Sequence, residues 1–166
     1  MKPNVLVLLI AAIVPLLIGF LWYSPILFQK TWMKEAGMTD EKMKSGNMAL
    51  IFGLSFVCSL FIAFFLQFIV IHQYGIFQTL INEPGFKEES GNAFNTYTKF
   101  MATYGNRFRS FSHGAIHGVM AGLFFVMPII TTKSLFERKS FKYIAINVGY
   151  WIVSLAIMGG IICQWL

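Results

Sequence analysis

The chain has 166 residues, of which 57% are hydrophobic and only 12% are Asp, Glu, Lys or Arg. A soluble domain of this size needs more polar residues to cover its exterior, and the composition therefore excludes a soluble protein. The net charge of +6 comes from basic residues beside apolar runs, where they meet anionic head groups. We therefore expect membrane lipid and no nucleic acid as a partner, and a single membrane domain over residues 1–166.

Four stretches contain no charged residue, and each can cross a membrane. They cover residues 3–29, 45–82, 110–132 and 143–166. At about 1.5 Å per residue, roughly 20 apolar residues cross a hydrocarbon core about 30 Å thick. Unbroken apolar runs of this length are typical of helices, which satisfy their own backbone groups in lipid. We predict an all-α, integral membrane four-helix bundle with spans at 4–25, 48–73, 111–132 and 142–165.

The loops between these spans predict an orientation. Eight of the 13 basic residues lie in segment 26–47 and after the third span: Lys30, Lys34, Lys42, Lys44, Lys133, Arg138, Lys139 and Lys142. By the positive-inside rule these loops face the cytoplasm, which places both termini and the loop 74–110 outside a plasma or inner cell membrane. The first run is too long for a signal peptide and lacks an Ala-x-Ala site, so we expect a retained span.

The outer loop 74–110 carries an amphipathic pattern. Apolar residues recur at spacings of three or four, at Phe94, Tyr97, Met101, Tyr104 and Phe108. The pattern predicts an amphipathic helix that lies on the outer interface or caps the bundle. A structural cap is the simpler interpretation, because amphipathic spacing by itself predicts only the burial of one face.

The two halves of the chain share a short pattern at the predicted cytoplasmic face. Gly19, Pro25, Ile26 and Lys30 align at a constant offset with Gly122, Pro128, Ile129 and Lys133. The pattern favours two duplicated helical hairpins in the same membrane orientation. Because proline has no N–H and disfavours helix at the preceding residue, both spans should kink or end at these prolines.

All three histidines map to the outer third of the bundle. His72 ends the second span, and His113 and His117 open the third at an i, i+4 spacing that puts both on one helix face. Converging neutral imidazoles can bind a transition metal or form a protonatable cluster. No span contains a carboxylate, so a further ligand would be Cys163 or a glutamate of the outer loop. The alternative is that the histidines only hydrogen-bond across helices or lie at the interface.

The third span also carries a glycine at every fourth position, at Gly114, Gly118 and Gly122. This spacing lets a neighbouring backbone approach closely, and we expect the first span as that neighbour, through Ala11, Ala12 and Gly19. The histidines would border the contact.

A second cluster lies toward the cytoplasmic side: Trp22, Tyr23, Ser24, Pro25, Asn147, Tyr150 and Trp151. Trp and Tyr at head-group level form an aromatic belt without further function. Asn147 needs a partner in hydrocarbon, and we expect the backbone freed at Pro25 or Pro128 to supply it. The cluster is a pocket wall or a packing cluster, and we favour packing, with Trp151 inside the bundle.

The residues of both clusters fall within longer motifs: Gly19-x-x-Trp22-Tyr23-Ser24-Pro25-x-x-Phe28, Trp32-Met33, Gly37, His113-Gly114-x-x-His117-Gly118, Phe136-Glu137-Arg138, Asn147-x-Gly149-Tyr150-Trp151 and Met158-Gly159. Together they resemble the bacterial membrane family catalogued as domain of unknown function 1761 (DUF1761). The resemblance covers nearly the whole chain except the loop 74–110. It implies a small multi-pass helical protein and no established activity, substrate or cofactor.

Three functions remain open on the sequence. The bundle could bind or pass a small ligand or ion, and because four spans enclose little cavity, a path would form in a homo-oligomer. The histidines instead predict a metal-binding or redox membrane protein, with a transition metal as the one cofactor indicated. The third alternative is a membrane scaffold or lipid-interacting protein without ligand chemistry. The sequence contains no phosphate loop, nucleophile elbow or catalytic carboxylate pair, which disfavours an enzyme.

Overall fold

The computed structural model describes residues 4–166, and within that range all regular secondary structure is helical. The elements in chain order are α1 (Val5–Trp22), α2 (Gln29–Ala36), α3 (Asp40–Lys44), α4 (Met48–Val70), α5 (Gln73–Leu80), α6 (Gly91–Tyr104), α7 (Phe111–Ala121), a π-helical segment (Gly122–Val126), α8 (Met127–Phe136) and α9 (Phe141–Trp165). The all-α prediction is confirmed.

Four helical units are long and apolar enough to cross a membrane. They are α1, α4, α9 and the continuous unit Phe111–Phe136, in which α7, the π segment and α8 follow without a break. Each unit coincides with one predicted span, except that the third continues past residue 132. Their lengths match a hydrocarbon core about 30 Å thick, and the chain is consistent with a membrane protein.

The last helix forms the centre of the bundle. α9 packs against α7, α1 and α4, and α1 also packs against α4. Met158 and Ile162 of α9 have no exposed area, and neither have Ala11 of α1 and Ala63 of α4. Small side chains on α1 and α4 let these backbones approach α9 closely. The middle of the bundle is therefore filled by side chains.

The outward faces of the long helices are apolar. Phe20 on α1, Phe61 and Phe65 on α4, and Phe124 in the π segment are all largely exposed. Apolar surface of this extent would be a liability in water, whereas lipid tails are as apolar as these side chains. The exposed faces are thus consistent with contact to lipid.

The two ends of the bundle carry different residues. The end that holds the three histidines, where α4 ends, α7 begins and α9 ends, is called the histidine end. The end that holds the lysine-rich loops, where α1 ends and both α4 and α9 begin, is called the basic end. Lys139 Nζ donates to the Ala36 carbonyl over 3.1 Å, so the two lysine-rich loops lie together at the basic end. Asn4 and Trp165 line a common groove, which places both described chain ends at the histidine end.

Segment 74–110 holds more helix than the pattern predicts. The predicted amphipathic helix is α6, whose Phe94 and Tyr97 pack on the buried Phe86 with ring centroids 6.0 and 5.4 Å away. α5 is missing from the prediction, because Gln73, Gly75 and Gln78 interrupt any apolar period there. We call residues 73–107, which contain α5 and α6, the cap.

The two prolines of the repeated pattern act differently. α1 ends at Trp22, shortly before Pro25, as predicted. The third unit does not end at Pro128; it passes into the π segment over Gly122–Val126 and continues as α8 to Phe136. Insertion of a π turn shifts the backbone hydrogen bonds, and such local adjustments let helices accommodate proline. The duplication of hairpins stays a prediction.

Candidate metal centre

The first histidine lies where α4 passes into α5. Ile71 ends α4 with an extended conformation, φ −112° and ψ 98°. Its side chain is buried, whereas that of His72 is exposed. Successive residues of an extended segment point in opposite directions, so Ile71 anchors the connector while the His72 ring leaves the core.

The other two histidines lie on the first turns of α7. The Ser110 side chain caps this helix by accepting from the backbone N–H of His113 over 3.3 Å. The four-residue spacing puts His113 and His117 on one face, with ring centroids 4.6 Å apart. Both rings are half-buried. The cap residue thus sets where α7 begins and, with it, the height of this pair.

Three ring nitrogens converge at this point. His113 Nε2 lies 2.9 Å from His72 Nε2 and 3.1 Å from His117 Nε2. One ligand atom from each histidine lies within 4.8 Å of those of the other two. The structure therefore brings together all three histidines singled out from the sequence.

Hydrogen bonds alone do not satisfy this convergence. A neutral imidazole nitrogen offers either one proton or one lone pair. His113 Nε2 can therefore make one linear N–H···N bond, with one of its two histidine neighbours. It has no second proton or lone pair for the other neighbour. A cation would accept the lone pairs of all three nitrogens. At a metal–nitrogen distance of 2.0–2.1 Å, tetrahedral ligands lie about 3.3 Å from one another. The two separations from His113 Nε2, 2.9 and 3.1 Å, need to open by only a few tenths of an ångström, and the ligand atoms of the third pair, His72 and His117, lie within 4.8 Å of each other.

Phe108 covers one side of the histidines. Its ring stacks on His113 with centroids 5.1 Å apart and planes at 20°, and meets His72 edge-on at 6.2 Å. Phe108 has φ 62°, in the left-handed region that bulky residues rarely adopt. The sequence pattern placed it on the amphipathic helix, but α6 ends at Tyr104, so only the spacing of Phe108 was informative and its role was missed.

Cys163 packs beside the histidines but is not a member of the group that could hold a metal. Its single S–H points to two carbonyls, those of Val70 and Phe108, each 3.3 Å from the sulfur. Arg109 Nε in turn donates to the Cys163 carbonyl over 2.7 Å, at the last turn of α9. Among residues 4–166, the group that could hold a metal contains no cysteine and no carboxylate. The proposed further ligands are therefore not brought to the histidines.

The two residues that follow His72, Gln73 and Tyr74, fix the cap beside the site. Gln73 Nε2 donates to the carbonyls of Tyr104 and Arg107 over 2.9 and 2.8 Å, so α5 holds the end of α6. The Tyr74 hydroxyl donates to Gln67 Oε1 over 2.9 Å. Burial raises the pKa of Tyr74, which keeps the phenol neutral and able to donate.

The glycines of α7 set the distance between α7 and α9. A Cβ on Gly114 would overlap the carbonyl of Gly159, and a Cβ on Gly118 would overlap that of Leu155. The histidine that precedes each glycine consequently borders a contact between two backbones. This contact holds His113 and His117 firmly on the bundle.

The expected partner of these glycines was wrong. They pack on α9 rather than on Ala11, Ala12 and Gly19 of the first span, and a Cβ on Gly122 would lie 2.8 Å from Ile152 Cγ1 of α9. The physical reason is that α9 is the central helix and presents its own small residues at the same level. Sequence spacing identifies a close contact but not which helix makes it.

The second predicted cluster assembles at the basic end. The Tyr23 hydroxyl donates to Asn147 Oδ1 over 3.0 Å, and Asn147 Nδ2 donates to the Tyr143 carbonyl over 2.7 Å. The expected partner of Asn147, backbone freed at Pro25 or Pro128, is thus wrong. Tyr23 directly follows the end of α1 and lies within hydrogen-bond distance of Asn147.

Of the remaining members of this cluster, Trp22 and Tyr150 also make hydrogen bonds across helices. Trp22 Nε1 donates to the Ile146 carbonyl and the Tyr150 hydroxyl to the Pro15 carbonyl, each over 3.0 Å. Trp151 is half-buried against the core. Ser24 Oγ is buried without a partner among the described residues, and Pro25 is exposed.

The helices and the histidine group together define an all-helical protein, consistent with a multi-pass membrane protein, that has a candidate metal centre at one end. A family model described as protein of unknown function (DUF1761) matches residues 6–163, and the chain belongs to this family. The family predicted from the motifs is confirmed. No curated protein and no solved structure matches the chain.

Proposed function

We propose that this chain is a multi-pass membrane protein that binds one divalent transition-metal ion at its histidine end. The convergence of three Nε2 atoms carries the proposal. His72 comes from the connector after α4, whereas His113 and His117 come from α7. The group is therefore a product of the tertiary fold, and not only of the i, i+4 spacing within one helix.

The donor set favours a particular class of ion. Imidazole nitrogens suit Zn²⁺, Cu²⁺, Ni²⁺ and Co²⁺, whereas Mg²⁺ and Ca²⁺ take oxygen ligands. Three neutral ligands leave the positive charge of the ion uncompensated. We therefore expect weaker binding than in a thiolate site, and an ion that exchanges with solvent.

The core supports a binding site better than a path through one copy of the chain. The middle of the bundle is filled by Met158, Ile162, Ala11 and Ala63, which have no exposed area. Passage of an ion would require a homo-oligomer with the path between copies, and that alternative remains a proposal. The excess of basic residues at the other end supports an orientation with the histidine end outside.

The direct test measures metal content. Protein purified in a phosphate-free detergent buffer is loaded with Zn²⁺ or Co²⁺, passed through a desalting column and analysed for metal per chain. We expect one ion per chain in the wild type and none in the His113→Ala, His117→Ala double variant. Ser112→Ala, on the same helix turn, should keep its metal. Folded wild-type protein without metal, after loading with Zn²⁺, Co²⁺, Ni²⁺ and Cu²⁺, would refute the proposal.

A further inference from the structure

We infer that the bound ion keeps an open coordination position at the histidine end, and that this position takes a phosphate oxygen. The phosphate belongs either to a lipid head group or to free phosphate in solution. The inference rests on the proposed function, since the phosphate binds to the metal. It extends that function by naming the class of ligand that the metal recruits.

The open position follows from the number and exposure of the ligands. Among the described residues three histidines form the group, and His72, on its outer side, is exposed. Metal sites with three protein ligands bind water or an exogenous ligand at the fourth position. The nearby thiol of Cys163 is engaged by the carbonyls of Val70 and Phe108. Because all three ligands are neutral, the positive charge of the ion favours an anion at the open position.

A guanidinium beside the site can hold the same anion. Arg107 Cζ lies 5.3 Å from the ring centroid of Phe108, and that ring stacks on His113. Within residues 4–166 the one ion pair joins Lys133 and Glu137, at the basic end, so no carboxylate neutralises Arg107. The planar fork of an exposed guanidinium matches the oxygens of phosphate. Arg109 differs, because its side chain already donates to the carbonyl of Cys163.

The depth of the site favours phosphate over other anions. His72 follows the end of α4 by two residues, and His113 is the third residue of the unit Phe111–Phe136. Both units are long enough to cross the hydrocarbon core, so their ends lie at the level of the head groups. Lipid phosphates are concentrated at that level. A metal ion at the histidine end would meet phosphate oxygens more often than any other anionic ligand.

The test uses Co²⁺ as a visible probe. Co²⁺-loaded protein in dodecyl maltoside and chloride buffer is titrated with inorganic phosphate in one arm and with short-chain phosphatidylglycerol in the other. The Co²⁺ absorption band and the width of the ³¹P resonance are recorded. We expect the band to shift and the resonance to broaden in a saturable way, and the arm that saturates at lower concentration identifies the source of the phosphate.

Two variants and one negative result decide the interpretation. Arg107→Gln should raise the half-saturating phosphate concentration by about tenfold with unchanged metal content. Lys142→Gln, at the basic end, should change neither quantity. An unchanged band and an unbroadened resonance in protein that holds its Co²⁺ would overturn the inference and leave the metal site standing. Folded protein that binds none of Zn²⁺, Co²⁺, Ni²⁺ and Cu²⁺ would instead overturn the proposed function, and the inference with it.

Discussion

Both ends of the bundle gather polar and aromatic side chains, but they treat the polar groups differently. At the basic end, Trp22 Nε1 and the Tyr23 hydroxyl each donate to an acceptor that has no proton of its own, the Ile146 carbonyl and Asn147 Oδ1. At the histidine end, ring nitrogens of the same kind face one another. The aromatic cluster at the basic end pairs donors with acceptors, whereas the three histidines at the other end bring like groups together.

This difference underlies the proposal that the basic end stabilises the fold and that the histidines bind a ligand. A polar group withdrawn from water costs free energy unless it is hydrogen-bonded, so a satisfied network needs no explanation beyond packing. The converging histidine nitrogens, which are exposed or half-buried, are incompletely paired with one another, and the proposed cation would accept their lone pairs. At the basic end only Ser24 Oγ breaks the pattern, as a buried hydroxyl without a described partner.

The largest effect should come from breaking the scaffold under the histidines. In Gly118→Leu the added side chain would overlap the Leu155 carbonyl and force α7 away from α9. We expect the free energy of unfolding to fall by about 3 kcal/mol or more, since overpacking against a backbone has no flexible atom to move. Thermal unfolding in detergent, followed by circular dichroism, measures this change.

Gly53→Leu is the matched control for that experiment. Gly53 lies on α4, and a Cβ there meets nothing within 4 Å. The same substitution should leave stability within about 0.5 kcal/mol of wild type. Equal losses in the two variants would show that leucine is harmful for a reason other than the contact between α7 and α9.

The next largest effect should separate the two ends in one pair of variants. His113→Ala should weaken Zn²⁺ binding by more than about 100-fold, since outer-shell partners alone are worth 10–100-fold. Its metal-free stability should fall by no more than about 1 kcal/mol, because the variant loses the ring stack on Phe108 but also removes the nitrogen on which the others converge. Tyr23→Phe should leave Zn²⁺ affinity unchanged and cost about 1 kcal/mol of stability, because it leaves Asn147 Oδ1 without its donor.

Calorimetric Zn²⁺ titration and thermal unfolding of both variants measure the two quantities. A His113→Ala variant that loses stability without metal, and retains Zn²⁺ affinity, would assign that histidine to packing. The histidine end would then resemble the basic end.

Features of the fold and of the candidate site could be predicted when they depend on one sequence segment. They could not be predicted when they depend on how two segments pack. The four long units follow from runs without charge, and the histidine group follows from the i, i+4 pair and the connectivity of α4 to α7 through the cap. The partner of Gly118 could not be predicted, because helix order around α9 is a tertiary property. The contact of Phe108 with His113 could not be predicted for the same reason. Helix α5 could not be predicted because its sequence has no regular apolar pattern.

A third, smaller effect should appear in the pH dependence of the metal centre. Metal and protons compete for the same imidazole lone pairs, so affinity falls as pH falls. At a Zn²⁺ concentration of ten times Kd, binding should stabilise the protein by about 1.4 kcal/mol near neutral pH, and this gain should vanish in acid. The measurement is the difference in unfolding temperature with and without Zn²⁺ from pH 8 to pH 5.

The His113→Ala, His117→Ala variant is the control for the pH series. It should show no Zn²⁺-dependent difference at any pH. A difference in wild type that persists unchanged at pH 5 would mean that the ion is held by groups other than imidazoles.

The smallest effect compares two left-handed residues, one at each end. Arg138 has φ 56° at the basic end and Phe108 has φ 62° at the histidine end. Arg138→Gly should raise the free energy of unfolding by up to about 1 kcal/mol, because glycine adopts this conformation without strain. Phe108→Gly gains the same relief but loses a ring stack worth about 0.5–1.5 kcal/mol, so we expect no net gain.

Chemical unfolding of both variants tests this comparison, with Arg138→Ala as control, because alanine removes the side chain and keeps the backbone strain. If Phe108→Gly is stabilised as much as Arg138→Gly, the ring on His113 contributes nothing to folding or to the order of the histidines. If Phe108→Gly is not stabilised and also binds Zn²⁺ more weakly, the strained backbone at Phe108 is maintained because its ring holds His113 in place for the metal.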